Sequence, residues 1–86
     1  GVIAGVVISI DRFGNAITNL VGLRAGVIEV GGASLPLRRT YGDVTPGKAL
    51  AIVGSSGLIE VAVRDGNAAR DLNLTRGSPV LFRATS

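Results

Sequence analysis

Hydrophobic positions fall in short runs separated by breaks rich in Gly, Pro, Asn and Asp. Val2 to Ile10 is almost wholly apolar, interrupted by Gly5 and Ser9. It predicts one buried strand, with Gly5 the place for a kink or bulge. Asp11-Arg12-Phe13-Gly14-Asn15 is a turn-forming cluster. Ala16 to Val21 then alternates, with Ile17 and Asn19 on one face and Thr18 and Leu20 on the other, which predicts a second strand paired with the first. Val27 to Val30 reads as a third strand, and Gly31-Gly32 as a hairpin turn. Ala33 to Arg39 returns as the fourth, with Leu35 and Leu37 on one face. Pro36 lacks an N–H for the ladder and so points to an edge position. A loop follows from Thr40, closed by a Pro46-Gly47 turn. Lys48 to Val53 and Leu58 to Arg64 form the next pair of strands around the tight loop Gly54-Ser55-Ser56-Gly57. After the Asp65-Gly66 turn, Asn67 to Leu72 suits one or two helical turns with Asn67 as N-cap. Gly77-Ser78-Pro79 precedes the last strand, Val80 to Arg83, and Thr85-Ser86 reads as a frayed end.

Short strands at regular spacing, joined by strong turn signals, predict an all-β fold: a small seven-stranded Greek-key barrel-like domain with one short helical turn. The 86 residues suffice for a single domain spanning positions 1–86, and no linker divides them. The apolar content is mostly Val, Ile, Leu and Ala, which suits pleated sheets. No Met is present, including a starting one, so the chain is expected to be part of a longer protein.

With no Cys and no His, a thiolate or imidazole metal site, a disulfide framework and a His general base are all excluded within this chain. No metal and no cofactor are expected. No apolar run reaches the length of a membrane-spanning helix, and no signal peptide is visible; the expected location is the cytoplasm. The net charge of +3 comes from nine Lys and Arg against six acids. The excess is scattered, so solvated surface charge is preferred to a nucleic-acid patch.

The acids Asp11, Glu29, Asp43, Glu60, Asp65 and Asp71 are dispersed. Three of them sit at turns, and Glu29 and Glu60 lie within strands facing water. None forms an evident acid–base pair. Asn15, in the first polar cluster, either caps its turn or offers an amide that matches the exocyclic amine and N7 of adenine. Ser55 and Ser56 either belong to an ordinary hairpin or join backbone N–H groups in holding a carboxylate or phosphate. Asn67 caps a helix, with or without a ligand at its N-terminus. Tyr41 either closes the rim of a small core or stacks on a flat base.

Taken together and in order, these clusters resemble one family. Ile10-Asp11-Arg12-Phe13-Gly14-Asn15-Ala16-Ile17-Thr18-Asn19-Leu20 is similar to the opening signature of the carboxy-terminal domain of S-adenosylmethionine hydroxide adenosyltransferases. These are the adenosine-forming S-adenosylmethionine hydrolases, related to fluorinating and chlorinating enzymes. Thr40-Tyr41-Gly42-Asp43-Val44, Ser55-Ser56-Gly57-Leu58-Ile59-Glu60-Val61-Ala62 and Gly66-Asn67-Ala68-Ala69 resemble three further family segments. The resemblance implies hydrolysis of S-adenosylmethionine to adenosine and methionine in a homotrimer whose sites lie between protomers. The catalytic groups are then expected in a missing amino-terminal domain, and the isolated chain is expected to be inactive. By similarity, Asn15 would read the adenine edge and Tyr41 would pack on its face. Ser55 and Ser56 would hold the amino-acid end of methionine, and the backbone around Asn67 and Ala68 would meet the polar rim of adenine. Ser56 stands where halogenases carry Arg, and the Asp65-Gly66 turn is longer than theirs; both features favour a hydrolase. The rival expectations are a small basic β-barrel that binds nucleic acid, and a purely structural assembly domain. The shortage of aromatics, three in all, argues against the first.

Overall fold

The computed structural model describes residues 1–22, 24–40, 42 and 44–85. Its elements are β1 (Val2–Ile10), β2 (Ala16–Val21), β3 (Gly26–Val30), β4 (Ala33–Arg38), β5 (Ala49–Val53), β6 (Leu58–Val63), α1 (Ala68–Asp71) and β7 (Pro79–Ala84). The strands close into a barrel in the order β1-β2-β6-β5-β4-β3-β7, with β7 pairing back onto β1. The pairing of β4 with β5 is parallel; the other six are antiparallel.

Alternation along each strand produces the inside and the outside. On β2, Ala16, Thr18 and Leu20 are buried while Asn19 and Val21 are exposed. On β6, Ile59, Val61 and Val63 join the main core with Val7, Ile28, Val80 and Phe82. Thr18 is the buried polar side chain among them. Its hydroxyl donates to the Ile59 carbonyl at 2.6 Å and accepts from the Leu20 N–H at 3.2 Å, so its burial leaves no unmet polar atom. Ala62, Leu50 and Ile52 form a second, smaller cluster with Val44 packed against it. The sheet formed by β5 and β6 is therefore covered on both faces.

Three expectations about strands are corrected. The β1 run is not buried: of its nine residues only Val7 is, and Val2 and Ile3 are 51% and 57% exposed. A continuous apolar run carries no period, so it could not reveal how little of this strand the barrel covers. The bulge also lies between Val7 and Ser9 and not at Gly5, which keeps regular register with Val80. Gly5 instead allows close packing of the Leu20 side chain. Pro36 does not mark a sheet edge, because the barrel closes. It pairs with Val27 on β3, and the β4–β5 ladder begins only at Leu37. Its missing N–H therefore costs no bond of that ladder. Thr85 is held by an N–H bond to the Ala25 carbonyl at 3.3 Å rather than frayed, and Ser86 lies outside the described residues.

The chain after β6 plugs one end of the barrel. Asn67 caps α1 by accepting from the Arg70 N–H at 2.9 Å. The helix runs for a single turn, buries Ala68, and carries Leu74 into the core with Leu72 packed against it. The same end holds the β1–β2 turn, since the Ala69 N–H donates to the Gly14 carbonyl at 2.9 Å.

Candidate functional site

The β1–β2 turn is built around the carboxylate of Asp11. Oδ1 accepts from the Phe13 and Asn15 N–H groups, each at 2.9 Å, and Oδ2 accepts from Asn15 Nδ2 at 3.2 Å. The main chain closes the same loop, with Asp11 N–H to the Asn15 carbonyl and Gly14 N–H to the Asp11 carbonyl, both at 3.0 Å. Gly14 adopts φ 84°, in the left-handed region, and the Asn67 amide occupies the space its Cβ would need. The two Gly-Asn segments of the sequence thus interlock.

This turn leaves Phe13 outside the core, 64% exposed, with the Arg12 guanidinium carbon 5.1 Å from the ring centroid. Beside it the β6–α1 turn contributes Arg64, Asp65 (φ 58°) and Gly66. Arg64 is fastened on three sides. Its N–H donates to the Lys48 carbonyl at 3.0 Å, its carbonyl accepts from Gly47 at 2.7 Å, and its Nη1 donates to the Val44 carbonyl at 2.6 Å. Phe13, Asn15, Val63, Arg64, Asp65 and Gly66 line a cleft of about 560 Å³. That lies within the roughly 300–1,000 Å³ of small-molecule sites. The cleft offers a flat apolar ring, an amide and a fixed guanidinium, a combination suited to a planar heterocycle with polar edges.

The expected site residues divide into three groups. Asn15, Asn67 and Ala68 come together at this end of the barrel. The Asn67 side chain is committed to the helix cap and Ala68 is buried, which leaves their backbone as the part able to meet a ligand. Ser55 and Ser56 are exposed on the β5–β6 hairpin. Since Ala16 pairs with Val61 and Val21 with Leu58, that hairpin lies at the far end of β2, about 20 Å along the strand from Asn15. The Ser56 hydroxyl accepts a long bond, 3.4 Å, from the Leu58 N–H. Tyr41 lies outside the described residues.

Reading the sequence missed two side chains. Phe13 reads in the sequence only as part of a turn, although a large aromatic inside a polar cluster is the available signal. Glu60 was expected to face water, yet it is only partly exposed and its carboxylate lies over Gly54, where no side chain intervenes. Burial, and secondarily the negative charge of Asp11, hold the Glu60 carboxyl above its ordinary value of 4.5. Folding therefore brings together two acids that are far apart in the chain. Glu29, by contrast, forms an exposed ion pair with Arg83 at 3.1 Å. The basic excess is less scattered than expected: Arg24, Arg38 and Arg39 line one cleft of about 490 Å³ at the Gly22 end. Among the described residues no group of three or more Asp and Glu could hold a metal ion, and no helix is long and apolar enough to cross a membrane.

Comparison with known proteins places these features in context. Residues 5–81 match the SAM hydroxide adenosyltransferase C-terminal domain. A curated relative from Thermus thermophilus, named (R)-S-adenosyl-L-methionine hydrolase, is 53% identical over 79 residues, covering 88% of this chain and 30% of the relative. A crystal structure of a conserved hypothetical protein from the same organism superposes with a TM-score of 0.87 at 48% identity, covering 93% of this chain and 34% of that one. An uncharacterized conserved protein from Thermotoga maritima gives 0.76 at 27% identity, with 94% and 35% covered. The chain thus spans about a third of the length of each.

Proposed function

The chain belongs to the SAM hydroxide adenosyltransferase C-terminal domain family, and on that premise we propose that it forms the nucleoside-binding wall of an enzyme that hydrolyses S-adenosylmethionine to adenosine and methionine. The observation that carries this reading is the cleft in which the exposed Phe13 ring adjoins the Asn15 amide. Adenine needs a face to stack on and an edge to pair with, and these two side chains supply one of each. Tyr41 packs on the adenine face, and the backbone at Asn67 and Ala68 meets its polar rim. Ser55 and Ser56, at the other end of β2, hold the amino-acid end of the methionine.

In this reading the chain itself breaks no bond. A water oxygen bonds to C5′ as the C5′–S bond breaks. The electron pair stays on sulfur, turning the sulfonium into the neutral thioether of methionine, and the water proton leaves to a base. That base belongs to the amino-terminal domain of a neighbouring protomer in a cytoplasmic homotrimer, and no cofactor takes part. The domain's contribution is to hold C5′ in line for attack and to keep bulk water from the sulfonium.

Calorimetry of adenosine binding to the full-length enzyme tests the reading. Phe13→Ala is expected to weaken binding by about 1–3 kcal/mol, the usual size for one stacked base, while Phe13→Tyr retains most of the affinity. Because Phe13 lies outside the core, the melting temperature should change little. Unchanged adenosine affinity in Phe13→Ala would remove the cleft from the nucleoside site.

A further inference from the structure

Glu60 is a half-buried acid to which the chain gives no counter-charge. Among the described residues its carboxylate makes no hydrogen bond and no ion pair. Its oxygens reach the surface all the same, because no buried side-chain oxygen among those residues lacks a partner. The register sets Glu60 between Ile17 on β2 and Ile52 on β5, with the carboxylate over Gly54. Any side chain at position 54 would collide with that carboxylate, and Gly54 is not among the glycines at positive φ. The glycine is therefore needed for the room it leaves and not for its backbone. The next two residues, Ser55 and Ser56, are exposed. The Ser56 hydroxyl accepts from the Leu58 N–H at 3.4 Å, which leaves its own proton to donate. Hydroxyl donors thus stand beside a charged acceptor that lacks a partner. An α-amino acid carries the complement on a single carbon: a carboxylate that accepts and an ammonium that donates.

We propose that Glu60 is a further substrate-binding residue, whose carboxylate receives the α-ammonium group at the methionine end of the substrate while Ser55 and Ser56 receive the α-carboxylate. The inference rests on the reading of the β5–β6 hairpin as the amino-acid end of the site. Burial and the neighbouring Asp11 both disfavour the charge of Glu60, and an ammonium group beside it offsets both. A hydrogen bond between two charged groups is also roughly twice as strong as a neutral one. The sulfonium is the other cation of the substrate, but it has no hydrogen to donate and so leaves the carboxylate without a bond.

Two ligands that differ only in the ammonium supply the test: S-adenosylhomocysteine and its desamino analogue, both neutral at sulfur. Their affinities, and that of adenosine, are measured by calorimetry on full-length wild type and Glu60→Gln. The substitution nearly keeps the shape and removes a charge that burial disfavours, so the variant is expected to fold. The wild type is expected to prefer S-adenosylhomocysteine over the desamino analogue by about tenfold or more, and Glu60→Gln to bring the two within about twofold. Adenosine affinity is expected to be the same in both proteins. A merely structural role for Glu60 would move all three affinities together and leave the ratio alone. Equal wild-type binding of the two thioethers, or binding of adenosine with neither thioether, overturns the proposal while the nucleoside reading stands. Binding of none of the three overturns that reading and this proposal with it. A ratio that survives in Glu60→Gln also overturns it, since the ammonium is then met by another group. If that variant fails to fold, Gly54→Ala decides, because it pushes the carboxylate aside without removing it: a reduced ratio supports the proposal and an unchanged one overturns it.

Discussion

Glu60 is a carboxylate kept in a place that disfavours its charge. It sits over Gly54 with its acidity weakened first by burial and then by Asp11. The folded pKa is raised above 4.5, so the folded state binds this proton more tightly than the unfolded state does. The stabilising contribution is therefore fully present below 4.5 and is lost as pH rises through the raised folded value. Glu60→Gln removes the charge and nearly keeps the shape. It is expected to raise the melting temperature at pH 7 and to change it little at pH 4. Scanning calorimetry at both values checks this, and an equal effect at both would point to packing instead of charge. None of this was legible in the sequence, where Glu60 is one acid in an alternating strand. Its acidity depends on a neighbour 49 positions away in the chain, and only the register of β2 against β6 brings the Asp11 turn near it. Asn15 shows the converse: its turn was legible, but the direction of its amide depends on Asp11. What sets Phe13 apart is the β6–α1 turn beside it, which is remote in sequence.

The β1–β2 turn and α1 hold each other in place. Gly14 needs its left-handed conformation, and the Asn67 amide packs where a Cβ would stand. Gly14→Ala is expected to cost about 2 kcal/mol or more, combining backbone strain with displacement of the cap. Asn67→Ala alone should cost about 1 kcal/mol, the usual value of an N-cap. Because part of the first loss is the clash with Asn67, the double variant should lose less than the sum of the two. Urea unfolding of the four proteins measures this, and strict additivity would mean that the two segments do not interlock. Most of the elements were legible because their signals are local. Gly31-Gly32 turns β3 into β4 with both glycines at positive φ, and the Lys48 N–H closes the Pro46-Gly47 turn onto the Thr45 carbonyl at 3.1 Å. What the local pattern could not convey was the neighbour of each strand. Hence the apolar run of β1 predicts burial and Pro36 predicts an edge, where the closed sheet gives neither.

On the proposed reading, the barrel as a whole binds and does not react. It has no His, and Asp11 and Glu60, its two neighbouring acids, are occupied in a turn and a half-buried strand face. The isolated domain is therefore expected to release no adenosine from S-adenosylmethionine above a protein-free control. Chromatographic detection of adenosine checks this, and turnover that tracks the purified domain would locate catalytic groups here after all. The pairing of β7 with β1 has a mechanical consequence. The first and last strands lie side by side and antiparallel, and the Ala84 N–H is bonded to the Gly1 carbonyl at 3.1 Å. Tension between the two ends would load that bond first and then each rung in turn from Arg83 toward Pro79, as in opening a zip. Such a seam yields at low force, one rung at a time, whereas the β2–β6 seam carrying Thr18 lies outside the line of pull.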